Sequence, residues 1–161
     1  MVYISDNGAP FPNSKTTLDK PGRRLPCIVR TPGRAHAGTV QEAMVTWADL
    51  PPMFLDVARI AATTAACDGR SFRAGLEGVK LTEWDEVFAS HSFHEVTVDY
   101  PLRMVRTREF KLIHNLASGL PFAVANDLVH SPTWIRAKES GGRRFGRRPM
   151  DRFLRRSELE L

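Results

Sequence analysis

The chain opens on Val2-Tyr3-Ile4, three β-favouring residues that run straight into the polar turn Ser5-Asp6-Asn7-Gly8. This start constrains the fold more than any other feature, because so short a strand is unstable alone and must pair within a larger sheet. A second short strand, Leu25-Pro26-Cys27-Ile28-Val29-Arg30, ends at the Thr31-Pro32-Gly33 turn. Between the two, residues 9–24 hold Pro10, Pro12 and Pro21 with little periodicity. They read as a long ordered loop, and a loop of that length in a compact domain is usually functional or disordered.

Downstream the pattern changes. Asp49 can cap a helix running to about Ile60, with Pro51 and Pro52 in its first turn, where a missing N–H costs little. Leu50, Phe54, Val57 and Ala61 stand at helical spacing and predict one apolar face. Residues 62–71 turn small and polar and mark a boundary; Ser71–Gly78 predicts a short helix ended by Gly78. Three strand-like runs follow, Glu86–Ser90, Leu102–Arg106 and Phe110–Asn115, the last two joined by Thr107-Arg108-Glu109 as a tight antiparallel hairpin. The first part, residues 1–61, thus reads as the end of an α/β sheet domain, and residues 62–161 as an antiparallel α+β subdomain with a basic tail. No apolar run approaches the roughly 18 residues needed to span a bilayer, so no membrane partner is expected. The N-terminus lacks the charge and apolar stretch of a signal peptide; a periplasmic or extracellular location would need a signal outside this chain.

Net charge is +5, which permits an anionic partner without requiring one. The excess is local: Arg143, Arg144, Arg147, Arg148, Arg152, Arg155 and Arg156 crowd the tail. Only Phe145 and Phe153 interleave with them and no nucleic-acid-reading motif accompanies them, so a solvated basic segment is expected, and no nucleic-acid partner. Weak steering of a polyanion is the functional alternative. Cys27 and Cys67 are too few for a disulfide framework and too isolated for a zinc site, and read as free thiols or small buried apolar groups.

Chemistry concentrates near the start. Ser5-Asp6-Asn7-Gly8 places a carboxylate and an amide at a strand end, where open α/β sheets bind ligands. Both offer hard oxygens suited to Ca²⁺ or Mg²⁺, while the same tetrapeptide also reads as an Asx-turn that closes a strand. The longer string Ser5-Asp6-Asn7-Gly8-Ala9-Pro10-Phe11-Pro12-Asn13-Ser14-Lys15-Thr16-Thr17-Leu18, with Pro21-Gly22 and Arg24-Leu25-Pro26, resembles the sulfatase family. Thr46-Trp47-Ala48-Asp49-Leu50-Pro51-Pro52 is similar to the helix that follows the family's metal loop. Val87-Phe88-Ala89-Ser90-His91-Ser92-Phe93-His94-Glu95-Val96-Thr97, Arg106-Thr107-Arg108-Glu109-Phe110-Lys111-Leu112-Ile113-His114-Asn115 and Asp127 with Ser131-Pro132-Thr133 resemble its heparan N-sulfatase (N-sulfoglucosamine sulfohydrolase) branch.

That resemblance implies the C-terminal part of an alkaline-phosphatase-like α/β fold with a smaller antiparallel subdomain. It implies that Asp6 and Asn7 complete a divalent-metal site, usually calcium, and that Lys15 contacts the sulfate of a sulfated sugar or glycosaminoglycan substrate. His91, His94 and Glu95 would lie near the substrate pocket and contact sugar, with surface hydrogen bonding as the plain alternative. In an extended segment His91 and Glu95 share one face and His94 points the other way, which argues against chelation by both histidines. His114 is expected to be structural, and Trp47, Trp84 and Trp134 to be core or half-buried anchors.

The family's nucleophile, a formylglycine made from Cys or Ser within Cys/Ser-x-Pro-x-Arg, has no counterpart around Cys27 or Cys67. The resemblance therefore implies a sulfatase, a sulfuric ester or sulfamate hydrolase, present as a fragment that lacks its nucleophile and is inactive alone. No catalytic residue is assigned within it. A non-catalytic polyanion-binding protein and an inactive remnant are the competing readings. The bond cleaved, the sugar and the oligomeric state stay open.

Overall fold

A computed structural model describes residues 1–34, 36–61, 67–95, 98–139, 141, 144–145 and 148–161. In chain order the elements are β1 (Val2–Ile4), α1 (Lys20–Arg23), β2 (Cys27–Val29), α2 (Leu50–Val57), α3 (Arg73–Leu76), β3 (Glu86–His94), β4 (Val98–Thr107), β5 (Lys111–Asn115), α4 (Asn126–Val129), α5 (Pro132–Glu139), β6 (Arg144–Phe145), β7 (Arg148–Pro149), α6 (Met150–Leu154) and β8 (Leu159–Glu160). Helix and strand are mixed, and the β4–β5, β5–β8 and β6–β7 pairs are antiparallel. No helix among the described residues is long and apolar enough to cross a membrane. The chain forms two compact units, Met1–Tyr3 with Ile28–Val87 and Ile4–Cys27 with Phe88–Leu161.

In the first unit β1 pairs with β2 alone, in a two-stranded sheet rather than the larger sheet its shortness suggests, and Met1 and Arg30 exchange hydrogen bonds at 2.9 and 2.8 Å. Its core is Leu50, Met53, Phe72 and Trp84, with Val45, Trp47 and Leu81 packed around them. The Phe72 and Trp84 rings meet edge to face at 6.3 Å, and the Arg70 guanidinium lies 4.1 Å above the Trp84 ring.

Helix α2 departs from its sequence pattern. It ends at Val57 rather than near Ile60, and it buries Leu50, Pro52 and Met53 while Phe54, Val57 and Ile60 are exposed. Two local causes act. A 3₁₀ turn over Trp47–Asp49 precedes the helix and sets its rotation, and Arg59 in the left-handed region (φ 57°) closes it. Asp49 does not cap α2 with its side chain; buried, it accepts hydrogen bonds from Thr46 N at 2.7 Å and Arg70 N at 3.0 Å. Trp84 and Trp134 are buried and Trp47 is half-buried, as anchors should be. The boundary expected at 62–71 lies partly outside the described residues, at 62–66.

The second unit is built on a four-stranded sheet of order β3-β4-β5-β8. The hairpin between β4 and β5 forms as the polar tripeptide predicts, with Arg106 opposite Lys111 and Leu102 opposite Asn115. Strand β3 runs four residues beyond the expected Ser90, through His94. Strict alternation in β4 buries Val98, Tyr100, Leu102 and Met104 on one face. Tyr100, Phe122, Phe153 and Trp134 then form a chain of edge-to-face rings at 5.0, 5.5 and 5.9 Å, so the loop before α4, α5 and α6 complete one core.

The basic tail is not uniformly solvated. Arg156 is buried, its guanidinium 4.4 Å above the Phe122 ring, and it joins Arg148 and Lys111 around the buried Asp19. Glu160 balances the group through Arg156 at 3.4 Å and accepts from Asn115 Nδ2 at 2.8 Å. Arg143 and Arg147 lie outside the described residues.

Candidate anion-binding site

The loop from Ser5 to Asp19 holds its shape by backbone crowding around two glycines. A Cβ on Gly8 would sit 2.4 Å from Ser14 Oγ and 2.6 Å from the Pro21 carbonyl oxygen; one on Gly22 would sit 2.3 Å from the Ser14 oxygen. Glycine is therefore required at both positions. The loop folds back so that Lys15 N donates to Ala9 O at 3.2 Å, bringing Lys15 into the same turn as the segment that follows Asp6 and Asn7. Thr16, β-branched and next to Lys15, is held at φ 63°, and Asn13 at φ 66°. Such strain persists only where the surroundings over-determine it, and it gathers at functional sites.

Asp6 and Asn7 are exposed and bond to each other: Asn7 N donates to Asp6 Oδ1 at 2.9 Å and Asn7 Nδ2 to Asp6 Oδ2 at 3.0 Å. Both bonds run between adjacent residues, so this is not the Asx-turn that the tetrapeptide allows, in which Asp6 would accept from the N–H two residues on; the pair still offers hard oxygens at the strand end. Among the described residues no group of three or more His, Cys, Asp or Glu is placed to hold a metal ion.

Lys15 and the His91–Glu95 segment converge on one dipeptide. Lys15 Nζ donates to Asp127 Oδ2 at 2.5 Å, across 112 residues of sequence. Asn126 Nδ2, on the adjacent residue, donates to Glu95 Oε2 at 2.6 Å. Glu95 turns out of β3 at φ 59° and lies 3.5 Å from His94. The hydrogen bond from Lys15 holds the Asp127 carboxyl below the ordinary carboxylate range, and the charge of Lys15, the Leu128 N–H and His94 add to it. Asn126 and Asp127 are functional candidates that sequence reasoning missed. Asp127 stands in a motif, but no spacing discloses that it meets Lys15.

Ser92 and Phe93 are both exposed, whereas His91 and His94 are both half-buried. The two imidazoles are close enough that charge on His94 disfavours charge on His91. Burial first, and His94 second, lower the His91 pKa from 6.5. A base with a lowered folded pKa binds more protons unfolded, so stability is full above about pH 6.5 and falls as pH drops through the window below it. Melting temperatures recorded at about pH 7.5 and about pH 5.5 are expected to show a loss on acidification, and His91→Gln to show a smaller one. His114, opposite Arg103 in the sheet, lies 3.7 Å from Glu158.

The family model for N-sulphoglucosamine sulphohydrolase, C-terminal, matches residues 14–133, a span that includes Lys15, His91, His94, Glu95 and Asp127. The chain is 40% identical over 143 residues to N-sulphoglucosamine sulphohydrolase of Homo sapiens, covering 83% of this chain and 28% of that protein. It is 30% identical over 124 residues to N-acetylglucosamine-6-O-sulfatase of Bacteroides thetaiotaomicron, covering 71% of this chain and 22% of that protein. A third relative, the ulvan-active sulfatase of Formosa agariphila, is 24% identical over 120 residues, with 73% and 23% covered. The chain thus spans between 22% and 28% of the length of these curated relatives.

Proposed function

Because the chain belongs to the N-sulphoglucosamine sulphohydrolase C-terminal family, we propose that it serves sulfatase chemistry, hydrolysing a sulfuric ester or sulfamate on a sulfated sugar. Its part is to bind and orient the sulfuryl group and the sugar. One observation carries this reading: Lys15 and Glu95, from segments 80 residues apart in sequence, are bonded to the neighbouring residues Asp127 and Asn126. These contacts, with His94 3.5 Å from Glu95, support a site that combines a cation, carboxylates, an amide and an imidazole, the mixture of donors and acceptors that a sulfated sugar presents in complement.

In this reading Lys15 donates to sulfate oxygens as a compact point charge. His94 and Glu95 bond sugar hydroxyls, and His91, kept neutral by burial, orients them. Asp6 and Asn7 fit one edge of a calcium site by donor type, and two residues supply only part of the 6–8 oxygens calcium takes. The ion, when bound, would stabilise charge on the sulfate oxygens. The nucleophile, a formylglycine by family analogy, and the alkaline-phosphatase-like sheet belong to the same proposal. Both N–S and O–S bonds stand as targets, since relatives named for each are found. The polyanion-binding alternative is weakened because Arg148 and Arg156 of the tail are engaged with Asp19.

The test is an NMR-detected titration with N-sulfoglucosamine. Shifts are expected to cluster at residues 15, 91–95 and 126–127, and Lys15→Ala is expected to weaken binding at least about tenfold, the worth of one charged hydrogen bond. Shifts confined to the arginines of 144–156 would instead favour the polyanion reading.

A further inference from the structure

Taking Lys15 as the sulfuryl-binding cation of the proposed function, we propose that Asp127 is a specificity-determining residue that favours a singly charged sulfuryl group over doubly charged inorganic sulfate. The Lys15 side chain is 18% exposed and Asp127 is the more open partner at 41%. An anion reaching the ammonium therefore meets a carboxylate bonded to it. Asp127 stays ionised at neutral pH, because the hydrogen bond from Lys15 lowers its pKa. Its backbone neighbour Asn126 is bonded to Glu95, which ties the dipeptide to the end of β3.

The charge count of the reaction gives this geometry a use. A sulfamate or sulfate ester carries one negative charge. In the net reaction one water is consumed, the S–N or S–O bond is replaced by a new S–O bond, and the water's protons pass to the leaving amine or alcohol and to solvent. Inorganic sulfate leaves with two negative charges. Repulsion from Asp127 scales with the charge of the bound anion. At about 5 Å in a near-aqueous dielectric it costs a monoanion about fourfold in affinity and a dianion about fifteenfold. Lys15 alone would hold product more tightly than substrate. Lys15 paired with Asp127 reverses part of that preference and speeds product release.

The experiment is a pair of titrations of the chain at neutral pH and low, fixed ionic strength, one with sodium sulfamate and one with sodium sulfate. Asp127→Asn, which keeps shape and removes charge, is expected to tighten sulfate about fifteenfold and sulfamate about fourfold, a selectivity change of about fourfold. Asp127→Glu is expected to restore the wild-type ratio. A purely structural role would weaken both anions together and leave the ratio unchanged, and that result would overturn the proposal. Lys15→Ala separates this failure from that of the underlying reading. If Lys15→Ala abolishes binding while Asp127→Asn leaves the ratio alone, only the Asp127 proposal falls. If Lys15→Ala changes nothing, or the wild-type chain binds neither anion, both fall.

Discussion

Asp19→Ala is expected to destabilise the unit of residues 4–27 and 88–161 by about 3–5 kcal/mol, the cost of leaving buried charge uncompensated. Asp19 is 7% exposed and receives Lys111 Nζ at 3.3 Å, Arg148 at 3.0 and 3.3 Å through two nitrogens, and Arg156 at 3.5 Å. Removing the carboxylate leaves Glu160 to balance two of these three cations, 3.4 Å from Arg156 and 3.8 Å from Arg148. Arg156 has no retreat into water, since its side chain is fully buried between Asp19 and the Phe122 ring. Urea unfolding followed by tryptophan fluorescence at Trp134 measures the loss. A shift of less than about 1 kcal/mol would show that the group behaves like an exposed ion pair rather than a buried one. The consequence reaches the site: Asp19 closes the loop that carries Lys15, so its loss should also expose residues 5–24 to proteolysis.

The second large effect is expected at Gly22. A Cβ there would lie 2.3 Å from Ser14 O, 2.4 Å from Thr17 O and 2.9 Å from Thr17 Oγ1. Two of the three obstacles are backbone, so no side-chain rotation relieves them. Gly22→Ala should cost about 3 kcal/mol, at the upper end of overpacking effects. It should also weaken anion binding, because Ser14 neighbours Lys15 and its carbonyl accepts from Thr17 N at 3.1 Å and Thr17 Oγ1 at 2.9 Å. The control is Gly119→Ala, where a Cβ would meet nothing within 4 Å and the change should stay within about 0.5 kcal/mol. Equal effects at the two glycines would remove the argument that crowding shapes this loop.

Much of the local structure was legible because short-range physics wrote it. Val2–Ile4 and Cys27–Val29 form strands, and Thr107-Arg108-Glu109 turns β4 into β5, with Thr107 N bonded to Phe110 O at 2.9 Å. Gly78, at φ 87°, follows the short α3 as its pattern predicts. Where the reading strayed, the deciding partner was distant or irregular. A helical period puts Leu50, Phe54 and Val57 on one apolar face of α2, but packing against Phe72 and Trp84 buries Leu50 together with Pro52 and Met53 and leaves Phe54 and Val57 exposed. Strand β3 outran its apolar run because polar residues through His94 take their place in a sheet whose register is set by β4.

The family's character was determined by the sequence itself, as were the residues that the proposed function draws on: Asp6, Asn7 and Lys15 in one loop, His91, His94 and Glu95 in another. Which of them work together was decided only by the tertiary structure. Lys15 meets Asp127 across 112 residues, Glu95 meets Asn126 across 31, and Asp19 meets Arg148 across 129. The reason is physical. Propensity and periodicity act over a few residues, whereas a charge selects its partner by distance in space, and that distance exists only once the sheet and its loops have packed.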